Sequence, residues 1–214
     1  MSYSIVIPAY NEAGNIGFVL ESLLAMESRP EIIVVDDGSQ DATTTVVTTY
    51  QNVRLIHNET NLGQFASIVK GIRAATFDVV VTMDADGQHP VASLSHLVEP
   101  VMAGDADLVL GVRKELPRIG ETIIAKVAGV TDATTGFRAF RKELVPYFQN
   151  DLVFGGMFVR QVKAAGYRVR EVPVVVSPRR SGTSAHSDFN IFKKSLWFIW
   201  WSLRVGSRGK THER

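Results

Sequence analysis

Five short, β-branched apolar runs separated by helix-period segments constrain the fold of this chain more than any other feature. The runs are Ser4–Ala9, Ile32–Val35, Val53–His57, Val79–Met83 and Leu108–Val112. None alternates strictly with polar residues, which is the pattern of strands buried on both faces. Between them, Ala13–Met26, Asp41–Thr49, Gly63–Ala75 and Val91–Ala103 carry a helical period, with Asp41 placed as an N-cap and Pro90 at a first helical position. This rhythm predicts an α/β fold whose mostly parallel central sheet is flanked by helices. Beyond Arg113 the pattern is less regular. It predicts a helix over 154–165, a strand over 168–176, a polar loop over 178–187 and a last helix over 188–205.

In an open parallel sheet, ligands bind beyond the carboxyl ends of the strands. Polar clusters follow three of the runs: Pro8-Ala9-Tyr10-Asn11-Glu12, Asp36-Asp37-Gly38-Ser39 and Asp84-Ala85-Asp86-Gly87-Gln88-His89-Pro90. Their convergence on one sheet edge is the first functional expectation. Asp84 and Asp86 are hard oxygen donors suited to Mg²⁺ or Mn²⁺, and Gln88 could add a neutral oxygen. The plainer alternative is an Asx-turn into the following helix. Asp36 and Asp37 read either as an ordinary βα turn or as acceptors for a base or ribose, and Tyr10 as a ring at the pocket mouth. His89 reads as turn packing ahead of metal ligation. The glycine fingerprint of dinucleotide-binding folds is absent, since only Gly14 follows the first run, and no P-loop occurs. A metal bridged by carboxylates is then the remaining way to hold a diphosphate.

Composition narrows the classes. The 214 residues suit one domain with a short appendage. A net charge of +1 gives no field that points to nucleic acid, and no nucleic-acid partner is expected. There is no cysteine, which excludes disulfides and thiolate metal sites and suits the cytoplasm. Neither a signal peptide nor a bilayer-spanning run is expected.

Five motifs in order carry a family resemblance: Pro8-Ala9-Tyr10-Asn11-Glu12, Val35-Asp36-Asp37-Gly38-Ser39, Asn61-Leu62-Gly63, Asp84-Ala85-Asp86-Gly87-Gln88-His89-Pro90 and Thr135-Gly136-Phe137-Arg138. Over residues 3–182 the chain resembles family 2 glycosyltransferases, and most of all the dolichyl-phosphate mannose synthases and related polyprenyl-phosphate glycosyltransferases. The resemblance implies a GT-A fold. It also implies inverting, metal-dependent transfer from a nucleotide sugar, of GDP-mannose or UDP-glucose type, to a polyprenyl or dolichyl phosphate. The alternatives are transfer to a glycan hydroxyl, or a nucleotide-sugar-binding partner subunit without turnover.

By matching position, Pro8, Tyr10, Glu12, Val35 and Asp37 are expected to line the nucleoside pocket, with Asp84 and Ala85 facing the nucleotide. Asp84, Asp86 and Gln88 are the expected Mg²⁺ or Mn²⁺ ligands. Arg113, Arg179 and Arg180 are expected on the donor phosphates. The catalytic candidates are Asp86, Asp132 and Arg138. Asp132 reads equally as a general base or a loop N-cap, and Arg138 as an acceptor-phosphate contact or a solvated strand edge. Where relatives carry Ser-Lys after the basic segment, Ser184 is followed here by Ala185.

The division expected is a glycosyltransferase domain over 1–187 and a C-terminal aromatic helix with a basic tail over 188–214. Phe189, Phe192, Leu196, Ile199, Trp200 and Leu203 fall on one helical stripe, with Lys193, Lys194 and Arg204 beside it. Such a helix reads either as a peripheral anchor on the inner face of the membrane or as a helix packed on the domain or on a second subunit.

Overall fold

The computed structural model describes residues 2–148, 153, 155–178 and 188–208. Among these residues seven strands form one sheet: β1 (Ser4–Ala9), β2 (Glu31–Asp36), β3 (Val53–His57), β4 (Val79–Thr82), β5 (Leu108–Arg113), β6 (Arg138–Arg141) and β7 (Val169–Val174). Their order is β3-β2-β1-β4-β6-β5-β7. All neighbours are parallel except β6, which runs antiparallel to both β4 and β5. The sheet is therefore mixed, as the GT-A fold requires, with a largely parallel half and one reversed strand.

Among the described residues eight α-helices accompany it: α1 (Ile16–Leu24), α2 (Thr43–Thr48), α3 (Gln64–Ala74), α4 (Leu94–Met102), α5 (Ile119–Ala128), α6 (Val145–Phe148), α7 (Gly156–Ala164) and α8 (Asp188–Arg208). They divide the apolar side chains into two clusters. One holds Ile5, Ile7, Leu20, Leu97 and Phe137; the other holds Val6, Val35, Ile68, Phe140, Phe158 and Phe198. Residues 5, 6 and 7 of β1 thus feed alternate clusters, which is why a buried central strand reads as an unbroken apolar run.

Two local expectations shift. Asp41 is not the N-cap residue of α2, which Ala42 occupies without a side-chain cap bond. The Asp41 carboxylate still accepts the Thr43 N–H at 2.9 Å, one position early. Pro90 precedes rather than opens a short 3₁₀ turn over Val91–Ser93, which leads into α4.

The last helix is built into the body. Ile191, Ser195, Phe198 and Ser202 recur at the spacing of one helix face and are buried. They lie against α5, where a Cβ on Gly120 would fall 2.9 Å from Ile191 Cγ2, and against α7, where one on Gly156 would fall 3.2 Å from Phe198 Cε1. Arg160 clamps the far end, donating to the carbonyls of Val127 (2.9 Å) and Ser202 (3.4 Å).

Candidate active site

The chain leaves β1 toward β2 and β3, then returns to place β4 on the other side of β1. That reversal makes a topological switch point, where a crevice opens at the strand ends. A cleft of about 760 Å³ lies there. Pro8, Tyr10 and Glu12 reach it from the end of β1, Asp37 from β2, and Asp84, Ala85, Asp86 and Gln88 from β4. Arg113 and Arg138 reach it from β5 and β6. The three clusters expected to converge do so.

The clusters also hold one another. The N–H groups of Asn11, Glu12 and Ala13 donate to Ser39 Oγ (2.9 Å), Thr43 Oγ1 (2.8 Å) and Asp41 Oδ2 (3.1 Å). Asn11 returns a bond by accepting the Gln40 N–H at 2.8 Å. These side-chain acceptors hold residues 11–13 out of the helix, so α1 starts three residues later than its period suggested.

The adjacent carboxylates of Asp36 and Asp37 are satisfied by the protein. Asp36 accepts from Thr44, from Ser39 N and from His57 Nδ1 at 3.1 Å. Burial pushes the Asp36 carboxyl up, but these hydrogen bonds more than offset it and hold it below the usual range. Asp37 accepts from Asn58 Nδ2 (2.9 Å), Leu62 N (2.8 Å) and Gly63 N (2.9 Å). Asp37 therefore ties the Asn61-Leu62-Gly63 motif to the end of β2 and fixes the start of α3.

Around β4, the Asp84 carboxylate rests against Gly136, where a Cβ would come within 2.4 Å of Oδ2. Its Oδ1 accepts from Gln64 Nε2 at 2.9 Å. Asp86 is 7% exposed and accepts the Gln88 N–H at 3.1 Å. Gln88 Nε2 donates to the Ser177 carbonyl at 3.0 Å. His89 Nδ1 accepts the Asp84 N–H at 3.1 Å, and its ring stacks on Phe137 with centroids 4.9 Å apart. His89 is thus a packing residue of the turn.

The Thr135-Gly136-Phe137-Arg138 motif acts as the scaffold of this turn. Gly136 makes room for Asp84, and Phe137 carries His89. Arg138 is not a solvated strand edge: it is 2% exposed, donates to the Ala133 carbonyl at 3.2 Å, and lies 5.8 and 5.9 Å from the ring centroids of Phe148 and Phe158.

Three expectations need correction. Val35 does not line the cleft. It points to the opposite cluster against α3, where a Cβ on Gly71 would lie 3.0 Å from its Cγ2. Asp132 is not placed to act as a base. It is fully buried, and its carboxylate grips Arg113 through Nε (2.7 Å) and Nη2 (3.0 Å) while also accepting from Thr134. Burial raises the Asp132 carboxyl, yet the Arg113 hydrogen bonds and charge bring it below the ordinary carboxylate value, so it holds no proton near neutrality. Thirdly, the expected metal site is not evident as a ligand cluster, although Asp84, Asp86 and Gln88 all border the cleft. Among the described residues, no group of three or more His, Asp or Glu side chains could hold a metal ion. Two pocket carboxylates still fit a hard divalent cation that takes its remaining ligands from phosphate. Arg179 and Arg180 lie outside the described residues.

Arg118, Glu121, Gln64 and Ile191 also line the cleft, and no motif or spacing marked them. Arg118 and Glu121 sit at the start of α5, and Ile191 comes from α8.

The strand-end cleft and mixed sheet are those of the GT-A nucleotide-sugar transferase fold. A model of glycosyl transferase family 2 matches residues 4–118, more than half the chain, and the chain belongs to that family. It is 28% identical over 231 residues to a polyprenol monophosphomannose synthase of Mycolicibacterium smegmatis, covering 94% of this chain and 86% of that one. It is 30% identical over 194 residues to the uncharacterised protein MJ1222 of Methanocaldococcus jannaschii, with 79% of each chain covered. Among solved structures it superposes on glucosyl-3-phosphoglycerate synthase of Mycobacterium tuberculosis in complex with Mn²⁺, UDP-glucose and glycerol 3-phosphate. There the TM-score is 0.73 and the identity 19%, over 94% of this chain and 79% of that one. The chain is a glycosyltransferase of the hexosyl-transferring kind.

The narrower placement beside dolichyl-phosphate mannose synthases is overturned by this structural match. Its low identity carries the fold alone, but the fold is shared with an enzyme crystallised with glycerol 3-phosphate, so it does not single out a polyprenyl-phosphate acceptor. This removes transfer to polyprenyl phosphate as a reading of the chain, and no cluster of three or more ionisable ligands among the described residues marks the transfer as metal-dependent.

Proposed function

We propose that this enzyme transfers a hexose from a nucleoside-diphosphate sugar to a small acceptor bearing a phosphate or carboxylate. The observation that carries the reading is the polarity of the cleft. Glu12, Asp37, Asp84 and Asp86 come from the β2-β1-β4 half of the sheet, and Arg113, Arg118 and Arg138, with one carboxylate, Glu121, among them, from the β6-β5 half. The acidic half suits a ribose, base and cation; the basic half suits an anion. Asp84 and Asp86 would hold Mg²⁺ or Mn²⁺ together with the donor phosphates, and the ion would neutralise charge on the departing diphosphate. Tyr10, 43% exposed at the rim, offers a ring for the base. Arg113 keeps Nη2 on Asp132 and Thr134 while its side chain borders the cleft. The test is a thermal-shift panel of UDP-, GDP- and dTDP-sugars with Mn²⁺, followed by transfer to glycerol 3-phosphate and 3-phosphoglycerate. Asp86→Asn preserves an acceptor for the Gln88 N–H, so it should fold, and turnover should fall at least about a hundredfold. Absence of any donor shift, or wild-type turnover in Asp86→Asn, would sink the reading.

We also propose that α8 brings the enzyme to an anionic lipid surface. No helix among the described residues is long and apolar enough to cross a membrane. Yet Phe192, Leu196, Ile199, Trp200 and Leu203, 36–72% exposed, form a second stripe alongside the buried one. Lys193, Lys194 and Arg204 are exposed beside them, and the Arg204 guanidinium lies 4.0 Å from the Trp200 ring centroid. Aromatic residues with basic neighbours suit a headgroup layer. Co-sedimentation with phosphatidylglycerol vesicles should weaken at high salt and be lost in Trp200→Ser/Leu203→Ser. Equal sedimentation of that variant, or a dimer formed through this face, would count against it.

A further inference from the structure

Glu121 is 4% exposed and borders the cleft, but the function above gives it no task. It is the third residue of α5, a helix that nothing in the sequence pattern announced. Its Oε1 accepts from Arg118 Nη1 at 3.1 Å. Its Oε2 lies 3.3 Å from Arg113 Nη2 yet accepts no hydrogen bond. The reason is that Arg113 Nη2 is already committed to Asp132 Oδ1 and Thr134 Oγ1, at 3.0 and 2.8 Å. The charges therefore alternate as Asp132, Arg113, Glu121, Arg118. Asp132 orients Arg113, and Glu121 can contribute to Arg113 only through its charge, while it contributes to Arg118 through both charge and a hydrogen bond.

Two guanidiniums bordering one cleft repel each other when no anion lies between them. A buried carboxylate set between them relieves that repulsion and keeps both in place before ligand arrives. Its own position is fixed from behind. Ile191 of α8 presses on Gly120, where a Cβ would fall 3.0 Å from the Ile191 backbone carbon, so the first turn of α5 cannot slide along the cleft wall.

We propose that Glu121 is a positioning residue that sets Arg118 beside Arg113, so that the two guanidiniums meet a phosphate group together. The inference rests on reading the cleft as a nucleotide-sugar site. The phosphate belongs either to the donor diphosphate or to the acceptor, and the chemistry of recognition is the same.

The experiment compares Glu121→Gln, Arg118→Met and the double variant for Tm, for calorimetric binding of UDP or GDP with Mn²⁺, for binding of glycerol 3-phosphate, and for kcat and KM. Glu121→Gln should weaken phosphate-ligand binding about tenfold and raise the matching KM more than it lowers kcat. Arg118→Met should do the same, and the double variant should be no worse than the poorer single one, because both remove one unit. Weakening confined to the nucleotide assigns the pair to the donor, and weakening confined to glycerol 3-phosphate assigns it to the acceptor. Arg118 is partly exposed, so its variant keeps the test open if Glu121→Gln lowers Tm. Binding within twofold of wild type in both single variants, or losses that simply add, overturns the role of Glu121. Wild-type protein that binds neither probe overturns the reading of the cleft itself, which is a separate result.

Discussion

Asp37 lines the cleft, but its two carboxylate oxygens already accept three hydrogen bonds from residues 58–63. A residue so used has two functions that one substitution will expose together. Asp37→Ala removes any contact to the nucleoside, and it also leaves the N–H groups of Leu62 and Gly63 without their carboxylate acceptor. Leu62 is exposed and Gly63 N–H keeps Asn61 Oδ1 at 3.1 Å, so the main cost falls on the buried Asn58 amide, which loses its bond to Asp37, a loss of about 1–3 kcal/mol. We expect the donor KM to rise more than kcat falls, the pattern of lost uniform binding, with Tm lower by roughly 3–10 °C. Kinetics beside differential scanning calorimetry checks both parts. A fall in kcat alone at unchanged Tm would mean that Asp37 neither binds nor braces. The residue type and position of Asp37 were legible in the sequence because a charged pair after a buried strand is conspicuous. That its charge is spent on a neighbouring loop was not legible, because the acceptor-donor match depends on where residues 58–63 return. The same limit applies to Asp132, which is a conspicuous carboxylate whose partner, Arg113, is 19 residues away.

At the scale of elements, β1 to β5 and the four intervening helices were readable from period alone, within a few residues at each end. They bury apolar runs on both faces, and that burial writes itself into the sequence. β6 was missed because its four residues, Arg-Ala-Phe-Arg, are too short and too polar to register as a strand. It is held by pairing with β4 and β5 on either side, a purely tertiary cause. α5 was missed because its first turn faces the cleft and carries Glu121 in place of an apolar residue. α8 was found, but its sequence emphasises the exposed aromatic face; the buried face is built from Ile191, Ser195, Phe198 and Ser202, two of them small and polar. Small residues let the helix lie close on α5. A chain ending at Ser187 therefore strips buried surface from α5 and α7 and removes Ile191 from the cleft wall, so we expect it to be markedly destabilised and weakened in donor binding. The milder variant Phe198→Ala should cost about 3–5 kcal/mol, since it opens a cavity beside Gly156 and Trp201. Urea unfolding measures it. A truncated chain with unchanged stability and donor affinity would show α8 to be an appendage after all.

Across the whole molecule, the sheet is pinned by carboxylates whose ionised form the fold prefers, and this sets how the protein should respond to acid. Glu31 joins the start of β2 to Ser4 and Thr76; burial pushes its carboxyl up, and those hydrogen bonds pull it lower. Asp36 does the same at the other end of β2, and Asp132 beneath the cleft. Asp107 joins β5 to β7 by accepting from Arg168 Nη2 at 3.0 Å and Nε at 3.1 Å, and these bonds hold its carboxyl low. In each case the folded pKa lies below the unfolded one, so the unfolded chain binds protons more readily. The stabilisation from each group is complete above its unfolded value, 3.8 for Asp and 4.5 for Glu. It is lost as the pH falls through the lower folded value. Urea-unfolding stability should therefore be nearly flat from neutrality to about pH 5 and decline steeply below about pH 4. Asp107→Asn is the informative comparison, because it lies at the strand end away from the cleft and leaves the donor site alone. It should be less stable at pH 7, and the gap should narrow below about pH 4 and close as acid protonates the wild-type Asp107 carboxylate, removing a charge that the Asn variant never carries. Parallel stability curves for the two proteins across that range would show that the ion pair between β5 and β7 contributes nothing, and that acid unfolding begins elsewhere.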